Sequence, residues 1–238
     1  TSTARGLGEI TPLNINKNVT FTMKTKPAEK FYDGTKTLDA QTAKQYIESA
    51  TVNGTTLDIL GDLDVDTAAY QSTENATNGE PVQKVVYKMK TNDTLGNINI
   101  TGDLTAEGDG IIKRRTINIG LQEKAGIDKE YDRSDALVKG TVNGKELHHD
   151  VFSEEDAKAN VGYATGADNK NKLGRKANGA EVDDGAVVTV TGSYADKNVG
   201  THAVNYTGLT LTGAGAGNYR LNTATLTGTG KITPRPLT

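Results

Sequence analysis

The side chains able to do chemistry lie in a few places along this chain, and each place can be weighed against what its chemistry requires. His148, His149 and Asp150 set two imidazoles and a carboxylate in a row, groups that bind metal ions. Adjacent strand residues point to opposite faces, so the two rings could hardly hold one ion, and His202 is the only other histidine. Asp62, Asp64 and Asp66 alternate with apolar residues and would share one strand face, which raises calcium. A helix-loop-helix calcium loop also needs a central glycine and a distant glutamate, and neither is present, so a solvated strand face is the better reading. Asp183-Asp184-Gly185 reads as a turn. No Gly-x-Ser-x-Gly elbow and no phosphate-binding loop occurs. The glycine run at 213–217 leads into a strand, whereas a phosphate cradle opens a helix. Lys170, Lys172, Arg175 and Lys176 form a basic cluster that suits a partner such as an acidic glycan or a protein, although Asp168 lies beside them. No catalytic set, metal site or cofactor is therefore expected, and the chain reads as non-enzymatic. The reading from a different class is a surface carbohydrate hydrolase working through paired carboxylates.

The elements that must carry these residues are short strands. At 238 residues the chain has room for two domains, yet hydrophobic residues make up only 34% and aromatics 5%, with no tryptophan. Each domain must then be thin. Threonine, glycine and asparagine fill the rest, which suits half-exposed strands and tight turns. A net charge of −3 gives no field to recruit nucleic acid or an acidic membrane surface. No apolar run is long enough to span a bilayer, so no membrane insertion is expected. The first residues lack a signal-peptide pattern, which points to an interior fragment of something larger. Cysteine is absent, which removes disulfides, thiol catalysis and Cys-ligated metals.

One pattern recurs along the chain. Gly208 to Leu221 reads as strand, glycine turn, strand, and Gly230-Lys-Ile-Thr-Pro-Arg-Pro-Leu is a stiff exit. Gly8-Glu-Ile-Thr-Pro-Leu repeats that exit, and Ile111-Ile-Lys-Arg-Arg-Thr-Ile occupies the same position mid-chain. Proline fixes φ and donates no ladder hydrogen bond, so pairing should stop there and one module hand over to the next. Lys30-Phe-Tyr-Asp-Gly-Thr is answered by Lys129-Glu-Tyr-Asp-Arg-Ser, Thr51-Val-Asn-Gly by Thr141-Val-Asn-Gly, and Tyr70 by Tyr194. Gly96-Asn-Ile-Asn-Ile is answered by Gly217-Asn-Tyr-Arg-Leu, and Leu104 to Ile111 by the stretch from Thr225. Landmarks kept in this order mark an internal repeat. The boundaries follow: 1–12 as the tail of a preceding module, 13–117 as module one, and 118–238 as module two. A short helix is expected from Asp39, with Ala43, Tyr46, Ile47 and Ala50 at helical spacing, and a second is expected from Ser153. Residues 164–180 lack periodicity and are expected to form a long exposed loop.

Tyr32-Asp33-Gly34 could pass for a site because it recurs as Tyr131-Asp132. A structural role reads better: the ring buried, the aspartate bracing the turn and the glycine supplying positive φ. Gly217, Asn218 and Tyr219 are read as part of the same structural repeat. Together with Gly192 to Thr201, Gly208 to Tyr219 and Ile232-Thr-Pro-Arg-Pro-Leu-Thr, the Tyr-Asp-Gly-Thr motif resembles the YDG/MBG-type repeats of large bacterial surface adhesins. These are filamentous-haemagglutinin-like proteins exported by two-partner secretion. The match is fullest over 187–238, while Tyr131-Asp-Arg departs from the glycine expected after Asp. The resemblance implies two tandem β modules, small sandwich or grasp-like sheets in an elongated arrangement. They would be secreted to the bacterial surface, act as stalk or spacer, and touch neighbouring modules or a host or bacterial glycan or protein. A direct binding domain using the 164–180 loop is the alternative.

Overall fold

The computed structural model describes residues 6–77, 83–122, 127–137, 150–153, 161–163, 172–177, 180–189 and 192–237. The protein is mainly β, as its composition indicates, with one short helix and two 3-10 turns among the described residues. It forms two compact units, Thr1–Lys30 with Thr35–Lys113, and Phe31–Gly34 with Arg114–Thr238.

The main sheet of the first unit has the strand order Ala28–Phe31, Thr105–Lys113, Gln83–Thr91, Leu63–Tyr70, Thr37–Leu38. Its face is set by strict alternation: Gln83, Val85, Tyr87 and Met89 point inward while Lys84, Lys88 and Lys90 point out. Val19–Met23 pairs antiparallel with Ile47–Val52, and Leu13–Ile15 runs parallel to Ile98–Ile100. The helix expected from Asp39 is present but covers only Ala40–Lys44, capped by Thr42 N donating to Asp39 Oδ2 at 2.9 Å. Ile47 and Ala50, expected on its face, lie on the strand Ile47–Val52. The β-branched Ile47, Thr51 and Val52 win there because Val19–Met23 offers them a ladder.

The second unit repeats this plan. Lys129–Glu130, Leu226–Thr233, Gly200–Tyr206 and Gly192–Tyr194 form one sheet, and an isolated bridge from Ala136 to Ser193 stands where Thr37–Leu38 pairs in the first. Arg115–Ile117 runs parallel to Tyr219–Leu221, as Leu13–Ile15 does to Ile98–Ile100. Ile119–Gln122 pairs antiparallel with Asp150–Ser153, as Val19–Met23 does with Ile47–Val52. A further sheet has the order Val161–Tyr163, Lys172–Ala177, Ala180–Thr189, Thr210–Thr212. The 164–180 stretch is therefore not a continuous loop: Lys172–Ala177 is a strand paired on both sides, with Leu173 fully buried. Its alternation was hidden by a single large apolar residue among polar ones. The helix expected beyond Ser153 and the turn at 141–144 lie outside the described residues.

The equivalence reaches single atoms. The Tyr70 hydroxyl donates to the Ala28 carbonyl at 2.9 Å, and the Tyr194 hydroxyl donates to that of Ile127. Both rings are buried, and each lies on a glycine of its closing strand. A Cβ on Gly110 would stand 2.6 Å from Tyr70 Cε1, and one on Gly230 would stand 2.8 Å from Tyr194 Cε1, closer than carbon atoms can approach. The Gly-x-Gly pattern of Thr105–Lys113 and Leu226–Thr233 thus makes room for a tyrosine. A lysine closes each arrangement. Lys30 Nζ donates to the carbonyls of Thr35 and Thr37 at 2.9 and 2.8 Å, and Lys129 Nζ to those of Ser134 and Ala136 at 2.6 and 3.0 Å, the same offsets of five and seven residues. The ammonium groups sit 5.9 Å from the Tyr70 ring centre and 5.5 Å from that of Tyr194, so each also meets a π face.

Within this loop Gly34 has φ +74° and Arg133, its counterpart, φ +70°. A left-handed conformation costs a residue with a Cβ about 1 kcal/mol, which glycine avoids. Arg133→Gly is accordingly expected to raise stability by about 0.5–1 kcal/mol, read as a higher denaturant midpoint with an unchanged slope.

Candidate functional site

A polar cluster lies inside the second unit, around Tyr32. Its ring is 4% exposed and meets that of Tyr219 edge-on, with centroids 5.5 Å apart at 78°. The Tyr32 carbonyl accepts from Arg115 Nε at 2.8 Å, and the Arg115 guanidinium stands 5.8 Å from the Phe31 ring centre. Arg175 Nε donates to Asp184 Oδ1 at 3.0 Å, with the Asp184 side chain only 4% exposed. The other Asp184 oxygen accepts from the Tyr219 hydroxyl.

Local backbone puts Asp184 there. The ladder between Lys172–Ala177 and Ala180–Thr189 pairs Leu173 with Ala186 and Gly174 with Asp183, leaving Asp184 and Gly185 as a bulge, with Gly185 at φ +68°. The glycine run packs its backbone against that bulge: a Cβ on Gly215 would lie 1.8 Å from the Asp184 carbonyl oxygen. The 3-10 turn Ala216–Asn218 follows, with Asn218 buried, and delivers Tyr219 onto the carboxylate. Gly34 completes the fit, since a Cβ there would meet Arg175 Nε at 2.2 Å.

Electrostatically the cluster keeps its phenols neutral. Burial, reinforced by the Asp184 charge, raises Tyr32 to about 12, and burial with the Asp184 hydrogen bond raises Tyr219 further still. Burial also raises Tyr87 and Tyr194 to about 12. With both carboxylate oxygens of Asp184 engaged, this arrangement is a clamp that fixes the bulge, the glycine turn and the Tyr32 corner to one another. These phenols titrate higher when folded than the ordinary value of 10.0, so their stabilisation is complete below that pH and is lost as pH rises towards about 12. The denaturant midpoint should fall steeply across that interval, and phenolate absorbance in the folded protein should lag behind that of the unfolded chain.

The residues singled out in the sequence distribute as follows. Arg175 is a member of the clamp. Lys172 and Lys176 lie on the same strand, while Lys170 lies outside the described residues. Asp132 Oδ1 accepts from Lys129 Nζ and Ser134 N at 2.9 Å each, and the Lys129 bond holds its carboxyl below the usual value. Gly217 has open space around it. Tyr131, counterpart of Tyr32, is half-buried. Asp64 and Asp66 pair with Lys44 at 3.4 Å and Lys90 at 3.5 Å, and His202 Nε2 is 2.7 Å from the Asn198 carbonyl oxygen. His148 and His149 lie outside the described residues. Among those described, no group of three or more His, Asp or Glu could hold a metal ion. No described helix is long and apolar enough to cross a membrane. Sequence reasoning missed Asp184 and Arg115; a glycine following Asp184 mid-strand was the only signal of the bulge.

A shallow groove of about 560 Å³ adjoins the clamp, lined by Arg114, Leu209, Tyr219, Arg220, Asn222 and Thr223 among others. Arg220 Nε donates to Thr116 Oγ1 at 2.6 Å, and the buried Arg114 Nε has no hydrogen-bond partner.

Fold and site together describe a β-rich protein whose recurring polar residues brace its loops. Its second unit carries a YDG domain: the family model matches residues 162–227, spanning the bulge, the glycine turn and Tyr219. Comparison with curated proteins and with solved structures gives no match.

Proposed function

We propose that this chain is a non-enzymatic repeat segment of a secreted or surface-anchored bacterial adhesin, serving as stalk or spacer. The observation that carries the reading is that the same tyrosine–glycine–lysine arrangement is built twice, so the recurring residues are spent on repeating a scaffold. The YDG domain at 162–227 supports it, as do the thin core and the lack of cysteine. The second reading is direct recognition of a glycan or protein. It is favoured by the groove beside Tyr219, which Arg114 and Arg220 line. The test is binding of the purified protein to host cells and to a glycan array, beside an Arg114→Ser, Arg220→Ser variant and a Lys170→Ser, Lys172→Ser, Lys176→Ser variant. A spacer shows no saturable binding in any of the three. Binding lost in either variant favours recognition and sinks the spacer reading, as would turnover of an oligosaccharide.

A further inference from the structure

The second unit contains a tetrapeptide, Phe31–Gly34, seated on Tyr219, Asp184, Arg175 and Arg115. The chain holds another corner of the same build, Tyr131-Asp132-Arg133. It shares the lysine clamp at the same offsets, an aspartate at the same position and a left-handed third residue. One corner has its tyrosine buried at 4% exposure, and the other leaves it partly exposed. The strand accompanying each corner differs in the same sense. Aligned on Ile112 and Ile232, Arg115 and Ile117 correspond to Arg235 and Leu237. Arg115 and Ile117 are 8% and 2% exposed, whereas Leu237 is 101% exposed and Arg235 is exposed.

We infer that Tyr131, Arg133, Arg235 and Leu237 form a docking surface for another β unit of this build. That partner presents a strand for parallel pairing through Arg235 and Leu237, with Pro236, which has no N–H to donate, at the intervening position that faces away from the partner, and an aromatic ring for Tyr131. The third residue of the corner specifies the rest. At Gly34 the absent Cβ leaves room for the Arg175 guanidinium, which neutralises Asp184. Arg133 fills that room with its own side chain and its own positive charge. Its socket therefore carries a carboxylate at the position of Asp184 and a small uncharged residue at that of Arg175. The second unit of this same chain, which has Arg175, is disfavoured as the occupant by overlap and like charge. The substitution at the third residue thus selects among neighbouring modules, a use of repulsion to fix order in a series of similar units.

The inference rests on the spacer reading, and two experiments on the full chain test it. In the first, residues 118–238 are appended after Thr238, once unchanged and once with the appended copy carrying Arg175→Ser. Amide hydrogen exchange at Tyr131, Arg235 and Leu237 is then compared with the parent. The substituted extension is expected to slow exchange there about tenfold or more, and the unchanged one to slow it less. Equal exchange in parent and both extensions overturns the proposal. The second experiment does not depend on an appended unit folding. Gly34→Arg should lower the thermal midpoint, and adding Arg175→Ser should recover most of the loss, because the new arginine takes over Asp184. Recovery supports the socket chemistry, and no recovery overturns it. Failure of either leaves the cell and glycan assays untouched, so loss of the docking idea and loss of the spacer reading are told apart.

Discussion

Replacing Asp184 with alanine is expected to destabilise the second unit strongly. The carboxylate is 4% exposed and serves Arg175 and Tyr219 at once, so its removal leaves a guanidinium and a phenol without their acceptor. Breaking such a pair costs about 3–5 kcal/mol when both partners are buried, and the low end applies because the Arg175 side chain is 22% exposed. Asp184→Asn keeps an acceptor for Tyr219 and should lose less. Arg175→Met combined with Asp184→Leu removes both charges and should be nearer neutral than either single change, since the cost lies in the orphaned partner. Denaturant unfolding of the parent, Asp184→Ala, Asp184→Asn, the double variant and its two single variants checks this. If Asp184→Ala unfolds at the parental midpoint, the clamp does not stabilise the unit.

The second large effect concerns the tyrosines that lie on the glycines. Tyr70→Ala and Tyr194→Ala each delete a fully buried ring from a thin core and are expected to cost about 3–5 kcal/mol. Each ring lies over a glycine two strands away in its own sheet, and that glycine has no side chain to fill the space left by the ring. Tyr→Phe at either position keeps the ring and removes only the bond to Ala28 or Ile127, with an expected loss of about 1 kcal/mol. Gly110→Val or Gly230→Val should mimic the alanine variants from the other side, by forcing the ring out. A thermal scan reads both, at about 2–4 °C per kcal/mol for a chain of this size. Alanine variants that melt with the parent would show that the rings do not hold the sheets.

These residues also show how far the sequence was legible. The repeat was readable because its landmarks are the residues with the least freedom. Tyr70 and Tyr194 must reach a backbone carbonyl across a glycine, and Lys30 and Lys129 must reach two carbonyls at fixed offsets, so residue type and spacing persist while the rest drifts. The Asp39 cap was legible for the same local reason, but the extent of its helix was not. Ala43, Tyr46, Ile47 and Ala50 fit helical spacing, and only the presence of Val19–Met23 as a pairing partner turns Ile47–Val52 into a strand. The clamp was the least legible feature. Arg175 sits among lysines and looked like part of a basic surface, while Asp184 looked like a turn residue. What joins them is a bulge of two residues and the close approach of Gly215, and both are relations between strands that no local pattern encodes. The glycines at 213–217, which at first suggest a ligand loop, are instead where one backbone lies against another.

The account stands or falls on the two units using the same device, and residue-resolved amide exchange under native conditions on Tyr70→Phe and Tyr194→Phe tests that most directly. Each substitution is expected to speed exchange about fivefold, equivalent to about 1 kcal/mol, in its own sheet. For Tyr70 that means Ala28–Phe31 and Thr105–Lys113, and for Tyr194 it means Lys129–Glu130 and Leu226–Thr233. Acceleration of similar size at both sets of strands is the predicted result. Acceleration at one set with none at the other would contradict the claim that the chain builds one scaffold twice.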